Sequence, residues 1–237
     1  MIDSRIMSYE SRFVATNHLA WYYYVSKDTS NLNPLLQDYI ALNPGDWRAY
    51  PLLASSLIEF GDLKDARIDS LYECWIALEP DSNRAKNYYA SHCINLAKRL
   101  VQEGRLDEAI ARNKKAIRLN PKLAVAHNNL GVAYYAAKDY EEAIRCYQQA
   151  IELDSSYAQA YVNLGNVYDE IRDSDRAIAL YQKALEIEPS NSLAYENMGS
   201  AYYRQGARLK AIESMQKAAR LGALDAQHFL RAMGETW

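Results

Sequence analysis

Four asparagines stand at one register of this chain. Asn95, Asn129, Asn163 and Asn197 lie 34 residues apart, in "INLAKRL", "NNLGVAYY", "VNLGNVYDE" and "ENMGSAYY". A primary amide carries two donor hydrogens and an acceptor oxygen, so it can pair with the N–H and C=O of a peptide backbone without reading that peptide's side chains. Covalent chemistry finds much less support. The four histidines, His18, His92, His127 and His228, form no H-E-x-x-H or other metal-ligand spacing, and no nucleophile elbow, P-loop or dinucleotide fingerprint occurs. The three cysteines, Cys74, Cys93 and Cys146, have no C-x-x-C spacing. They read as buried thiols in a reducing compartment, and neither a disulfide framework nor a zinc site is expected. The sequence therefore predicts no catalytic residue, no metal and no cofactor.

Composition narrows the partners. The 237 residues are 49% hydrophobic and 24% charged, ordinary for a soluble protein, with a formal charge of −3. Lys and Arg never run beyond a pair (Lys98-Arg99, Lys114-Lys115), which argues against a nucleic acid or an anionic membrane as the main partner. The opening stretch "MIDSRIMSYESRF" lacks the apolar run of a signal peptide, and nothing approaches 18 consecutive apolar residues. The expected location is cytoplasmic, with the nucleus left open.

The elements that would carry the asparagines are set by a repeat. Segments beginning at Ala90, Ala124, Ala158 and Ser192 align without gaps. Positions 7, 8 and 11 are Leu96-Ala97-Leu100, Leu130-Gly131-Tyr134, Leu164-Gly165-Tyr168 and Met198-Gly199-Tyr202. Position 20 is Ala109, Ala143, Ala177 and Ala211, and position 27 is Ala116, Ala150, Ala184 and Ala218. Each unit holds two stretches with i, i+3, i+4, i+7 apolar spacing around a polar turn, as in "GRLDE" (104–108) and "KDYEE" (138–142). The small residues let two helices approach closely. Pro121 and Pro189 stop the second helix.

These residues resemble the tetratricopeptide repeat, a helix–turn–helix unit of 34 residues. Units 124–157 and 158–191 match its pattern closely; Ser155 and Ala223 replace the usual terminating proline. Two weaker units lie upstream. Residues 47–82 contain Leu53-Ala54-Leu57 and a turn at Gly61-Asp62; two additional residues before Pro80 suggest a longer second helix. Residues 13–46 place Leu19-Ala20 and Tyr23 in the core register. The expected organisation is an N-terminal segment (1–12), divergent hairpins (13–46 and 47–82), a helix extension "NRAKNYY" (83–89), four regular repeats (90–123, 124–157, 158–191, 192–225) and a capping helix (226–237). The resemblance implies an all-α, right-handed superhelix of about six helical hairpins plus that cap.

In that family the first helix of each hairpin lines the concave face. Positions 4, 7, 8 and 11 then face the partner helix, and position 6, the asparagine register, faces the groove. Packed helices lie about 8–10 Å apart and an extended peptide advances about 3.3 Å per residue, so successive amides would meet roughly every third residue. The arrangement is similar to the asparagine ladder in the repeat domain of protein O-linked N-acetylglucosamine transferases, which implies sequence-tolerant peptide capture. Repeat duplication, or amides bonding across to a neighbouring helix, accounts for the same recurrence. Lys98, Asn128, Tyr135, Asn166, Asp169, Glu170, Glu196, Tyr203 and Arg204 would flank the row and supply selectivity; Trp21, in "WYYYV", is a further exposed candidate. The chaperone-type carboxylate clamp is not expected: in the window from Ala90 its five places hold Ile94, Lys98, Asn129, Gln159 and Asn163, too few cations for a carboxylate. The reading is a non-enzymatic interaction scaffold for a protein or peptide. A self-assembling protein joined through its N-terminal hairpins, hence a homo-oligomer, and a regulatory subunit of a larger enzyme are the alternatives.

Overall fold

A computed structural model describes the backbone of residues 9–237 and the side chains from residue 14 onward. Thirteen α-helices are found among the described residues: α1 (Tyr9–Val25), α2 (Thr29–Leu42), α3 (Ala49–Phe60), α4 (Ala66–Leu78), α5 (Asn83–Gln102), α6 (Leu106–Leu119), α7 (Ala124–Ala136), α8 (Tyr140–Leu153), α9 (Ala158–Glu170), α10 (Ser174–Ile187), α11 (Ser192–Arg204), α12 (Arg208–Arg220) and α13 (Leu224–Ala232). There are thus six consecutive hairpins and a last single helix. Most of segment 1–12 lies outside the described residues, and α1 already begins at Tyr9. None of the helices is long and apolar enough to cross a membrane.

In four of the six hairpins the second helix starts where an aspartate caps it, while Arg105 and Ala207 precede α6 and α12 without a side-chain cap. Asp28, Asp65, Asp139 and Asp173 precede α2, α4, α8 and α10, and each carboxylate accepts a hydrogen bond from a backbone N–H of the first turn. The turn before the cap needs one left-handed residue. Position 15 supplies it in five units, as Lys27 (φ 57°), Gly104 (74°), Lys138 (63°), Arg172 (66°) and Gly206 (76°). The unit 47–82 departs from this scheme. Gly61 there has φ −117°, and its two additional residues enlarge the turn Gly61–Asp65, while α4 is 13 residues long against 14 for α6, α8 and α10. The expected longer second helix is not formed: Asp65 caps α4 only after the wider turn.

The chain divides into two compact units, one ending at His92 and the other comprising Cys93–Trp237, with α5 contributing to both. In the first unit Trp75 is fully buried and stacks on Trp47 at 5.7 Å, and Tyr72 stacks on Tyr89 at 5.0 Å. Ala20 is buried and Tyr23 partly so, but Leu19 is 42% exposed, so only part of the register assigned to 13–46 reaches the core. Cys93 and Cys146 are buried whereas Cys74 is exposed, which corrects the expectation of three buried thiols.

The second unit is regular. Each helix from α7 to α12 packs on its neighbours in the chain, and α7 also touches α9 as α9 touches α11, so first helices follow one another along one wall. Tyr147 lies against Gly131 and Tyr181 against Gly165: a Cβ on either glycine would come within 2.7 Å and 2.6 Å of the ring. The alanines at positions 20 and 27 are fully buried in all four regular repeats, which is what close helix approach requires. At the C-terminal end α13 covers Met215, Ala218 and Ala219 with Ala226 and Leu230.

Candidate functional site: the wall of first helices in the second unit

Helical geometry at positions 5, 6, 9, 12 and 13 brings polar side chains of successive first helices together. Asn163 donates to the Asn128 amide oxygen at 2.9 Å and accepts from Gln159 at 2.9 Å. Asn128 in turn donates to Asn129 at 3.4 Å. Further along, Asn197 and the Tyr181 hydroxyl both donate to the Asn166 amide oxygen, at 2.8 and 2.9 Å. The amides therefore form two cross-repeat networks, one joining α7 to α9 and one joining α9 to α11. Asn95 stands apart from both and is exposed.

Burial differs along the wall. Asn128 (3% exposed) and Asn129 (9%) are buried, while Asn163, Asn166 and Asn197 are partly exposed. Asn128 thus contributes to packing between repeats more than to an open surface. The Asn129 amide nitrogen is buried without a hydrogen-bond partner. It borders a cavity of about 220 Å³ formed by α5, α6 and α7, together with Lys98 and Asn113.

A second line of contacts runs along positions 12 and 13. Tyr135 donates to Glu170 at 3.4 Å, and Arg204 pairs with Asp169, each bridging consecutive repeats. The same register pairs Tyr24 with Glu59 in the first unit. Burial and the Glu170 carboxylate raise the Tyr135 hydroxyl above its ordinary range. Tyr203 is half-exposed, with its ring edge-on to Phe229 of α13 at 5.3 Å. Glu196 is partly buried, and burial and Asp225 raise its carboxyl. Lys98 is exposed.

The wall is thus a surface of amides, hydroxyls and mutually paired charges, able to hydrogen-bond an extended chain rather than to activate a nucleophile. The residue that sequence reasoning passed over is Asn113. Its signal was visible: it occupies position 24, where the following repeats carry Tyr147, Tyr181 and Met215.

Family models described as tetratricopeptide repeat match residues 122–190 and 162–226, and one described as TPR repeat matches 97–138. No curated protein matches the chain in sequence. Among solved structures, one crystal structure of MamA is 31% identical with a TM-score of 0.52, covering 68% of this chain and 94% of that one. Another crystal structure of MamA is 28% identical with a TM-score of 0.59, covering 77% of this chain and 94% of that one. YrrB, described as a TPR protein with an unusual peptide-binding site, is 21% identical with a TM-score of 0.61, over 83% of this chain and 97% of that one. With its ungapped 34-residue period, its hairpins and these matches, the chain belongs to the tetratricopeptide repeat family.

Proposed function

We propose that the second unit is a non-enzymatic binding scaffold whose wall of first helices holds an extended protein segment through the amides of Asn95, Asn129, Asn163 and Asn197. The observation that carries this reading is the Asn129 amide, buried yet without a partner for its N–H groups. A buried, unpaired donor costs about 1–3 kcal/mol, a cost that a ligand carbonyl would offset. Asn163 and Asn197 each use one N–H in bonding to the neighbouring repeat, which leaves the other for a ligand. Lys98, Asn128, Tyr135, Asn166, Asp169, Glu170, Tyr203 and Arg204 surround the amides. Arg204 pairs with Asp169 and Tyr135 donates to Glu170, so the charges of the wall are largely paired within it, while Asp169 Oδ1 is buried without a hydrogen-bond partner.

Selection of unstructured peptides of about nine residues from a random display library tests this. Binders should show weak side-chain preference, and the pair Asn95→Ala, Asn129→Ala should weaken them about tenfold or more. Asn129→Ala deletes an unpaired Nδ2 but also the acceptor of the long 3.4 Å bond from Asn128, so the two effects oppose each other and thermal stability should change little. Stability loss without loss of binding would make the amides structural and end the proposal.

The assembly reading draws on a different observation. On α1, Trp21, Tyr22 and Val25 are 67%, 62% and 58% exposed, an apolar surface of the kind that marks contact sites. Light scattering across a hundredfold concentration range decides it, and a monomer throughout counts against self-assembly.

A further inference from the structure

We propose that the cavity between α5, α6 and α7 is a subsite for a tyrosine side chain of the bound segment. It rests on the groove reading only for the source of the phenol. The cavity exists because one repeat lacks a ring that its neighbours have. In the next two repeats position 24 is Tyr147 and Tyr181, 1% and 0% exposed, each lying on a glycine at position 8. In the repeat 90–123 the same two positions are Asn113 and Ala97. Asn113 is too short to replace the ring, and its amide turns back to donate to the Ala109 carbonyl at 3.1 Å. What remains is a space of about 220 Å³ with Ala97, Val101 and Val132 among its walls and the exposed Lys98 beside them. The first unit shows the same relation: position 24 of its first hairpin is Leu36, and a cavity of about 340 Å³ opens there, bordered by Ala20, Trp21 and Tyr24.

Size and polarity together select the guest. A dry apolar cavity of about 150 Å³ already admits benzene, so a six-membered ring fits this one. Its polar atoms demand more than a hydrocarbon. Asn113 Oδ1 is a buried acceptor and Asn129 Nδ2 a buried donor, and neither has a partner. The bond to the Ala109 carbonyl fixes which end of the Asn113 amide is the free oxygen. A phenolic hydroxyl is donor and acceptor at once: it can give its proton to Asn113 Oδ1 and accept from Asn129 Nδ2. The chain already contains such a pairing, since the Tyr181 hydroxyl donates to the Asn166 amide on the same wall at 2.9 Å. Phenylalanine would fill the space and leave both atoms unsatisfied. A preference for tyrosine over phenylalanine of about tenfold to a hundredfold follows.

The test uses the full chain and two kinds of probe. para-Cresol and toluene are titrated into isotope-labelled protein, with chemical shifts followed at Ala97, Val101, Asn113 and Asn129. Nonapeptides differing only by a central Tyr or Phe are titrated separately. para-Cresol should give saturable shifts at these residues and toluene much weaker ones; the Tyr peptide should bind at least tenfold tighter than the Phe peptide. The double variant Ala97→Gly, Asn113→Tyr rebuilds the ring-on-glycine pair of the next repeat and should abolish both effects. Asn113→Leu, which copies Leu36, removes the acceptor without supplying a ring and should erase the Tyr preference while the fold persists. para-Cresol binding with no peptide binding would uphold the subsite and defeat the groove reading. Peptides that bind equally with Tyr or Phe, and equally to both variants, would uphold the groove and overturn the subsite. Absence of saturable para-cresol shifts would overturn it as well.

Discussion

Lys138 and Arg172 hold backbone conformations that their side chains disfavour, with φ of 63° and 66°. A left-handed residue with a Cβ costs about 1–2 kcal/mol, while glycine costs about 0.5–1 kcal/mol in unfolded-chain entropy. At this same position Gly104 and Gly206 avoid the steric part of that cost. Lys138→Gly and Arg172→Gly should therefore each stabilise the protein by about 0.5–1 kcal/mol, read from denaturant midpoints at constant slope. Glycines at position 8 carry the opposite constraint. A methyl on Gly165 would lie 2.6 Å from the Tyr181 ring, which is fully buried and cannot withdraw. The gain of about 1 kcal/mol in helix propensity then loses to about 1–3 kcal/mol of overpacking. On Gly199 the nearest atom is Met215 Cγ at 3.0 Å, on a side chain able to change rotamer. Gly165→Ala should cost at least about 1 kcal/mol more than Gly199→Ala.

At the scale of helices and hairpins, the periodicity of apolar and small residues carried most of the fold. Positions 8, 20 and 27 are fixed by contact between two helices of one hairpin, so their identity is written locally. What links one repeat to the next was harder to read. The amide of Asn163 meets Asn128 and that of Asn197 meets Asn166, pairings set by the rotation between repeats and not by the 34-residue spacing. The wide turn before α4 was misassigned for a related reason, because an insertion shifts the count equally whether it lengthens a helix or a loop. The cavity at Asn113 was legible in principle, as a missing tyrosine, but only to a reading that follows the second helix as closely as the first. The end of the stack gives a test at this scale. Leu230 is fully buried where α13 closes the last hairpin. Leu230→Ala should cost about 2–5 kcal/mol, and its hydrogen-exchange effect should be largest in α12 and α13. Equal protection losses throughout the second unit would mean that the cap does not act locally.

A stack of hairpins is stabilised link by link, so a weakness confined to adjacent helices is felt there first. The three groups whose ionisation folding suppresses most strongly lie in the second unit, on α8 and α10. Burial, aided by the Glu142 carboxylate, lifts the Cys146 thiol from its ordinary 9.0 to about 11. Burial likewise holds the hydroxyls of Tyr147 and Tyr181 well above their ordinary 10.0. All three are acids that the unfolded chain releases at lower pH than the folded one. The stability they contribute is whole below pH 9.0 and is lost as pH rises, between 9.0 and about 11 for Cys146 and above 10.0 for the tyrosines. The first unit has its own reporter, since Trp75 is fully buried against Trp47. In a Trp21→Phe, Trp237→Phe background, emission reads that pair alone, while far-ultraviolet circular dichroism reads every helix. Raising the pH from 8 to 11 at constant ionic strength should lower helicity before the tryptophan emission changes, and Cys146→Ala should flatten the early part of that fall. Emission that changes together with helicity would mean that the two units unfold as a single cooperative body. A Cys146→Ala curve identical to the parent's would mean that the Cys146 thiol is not the alkaline weak point.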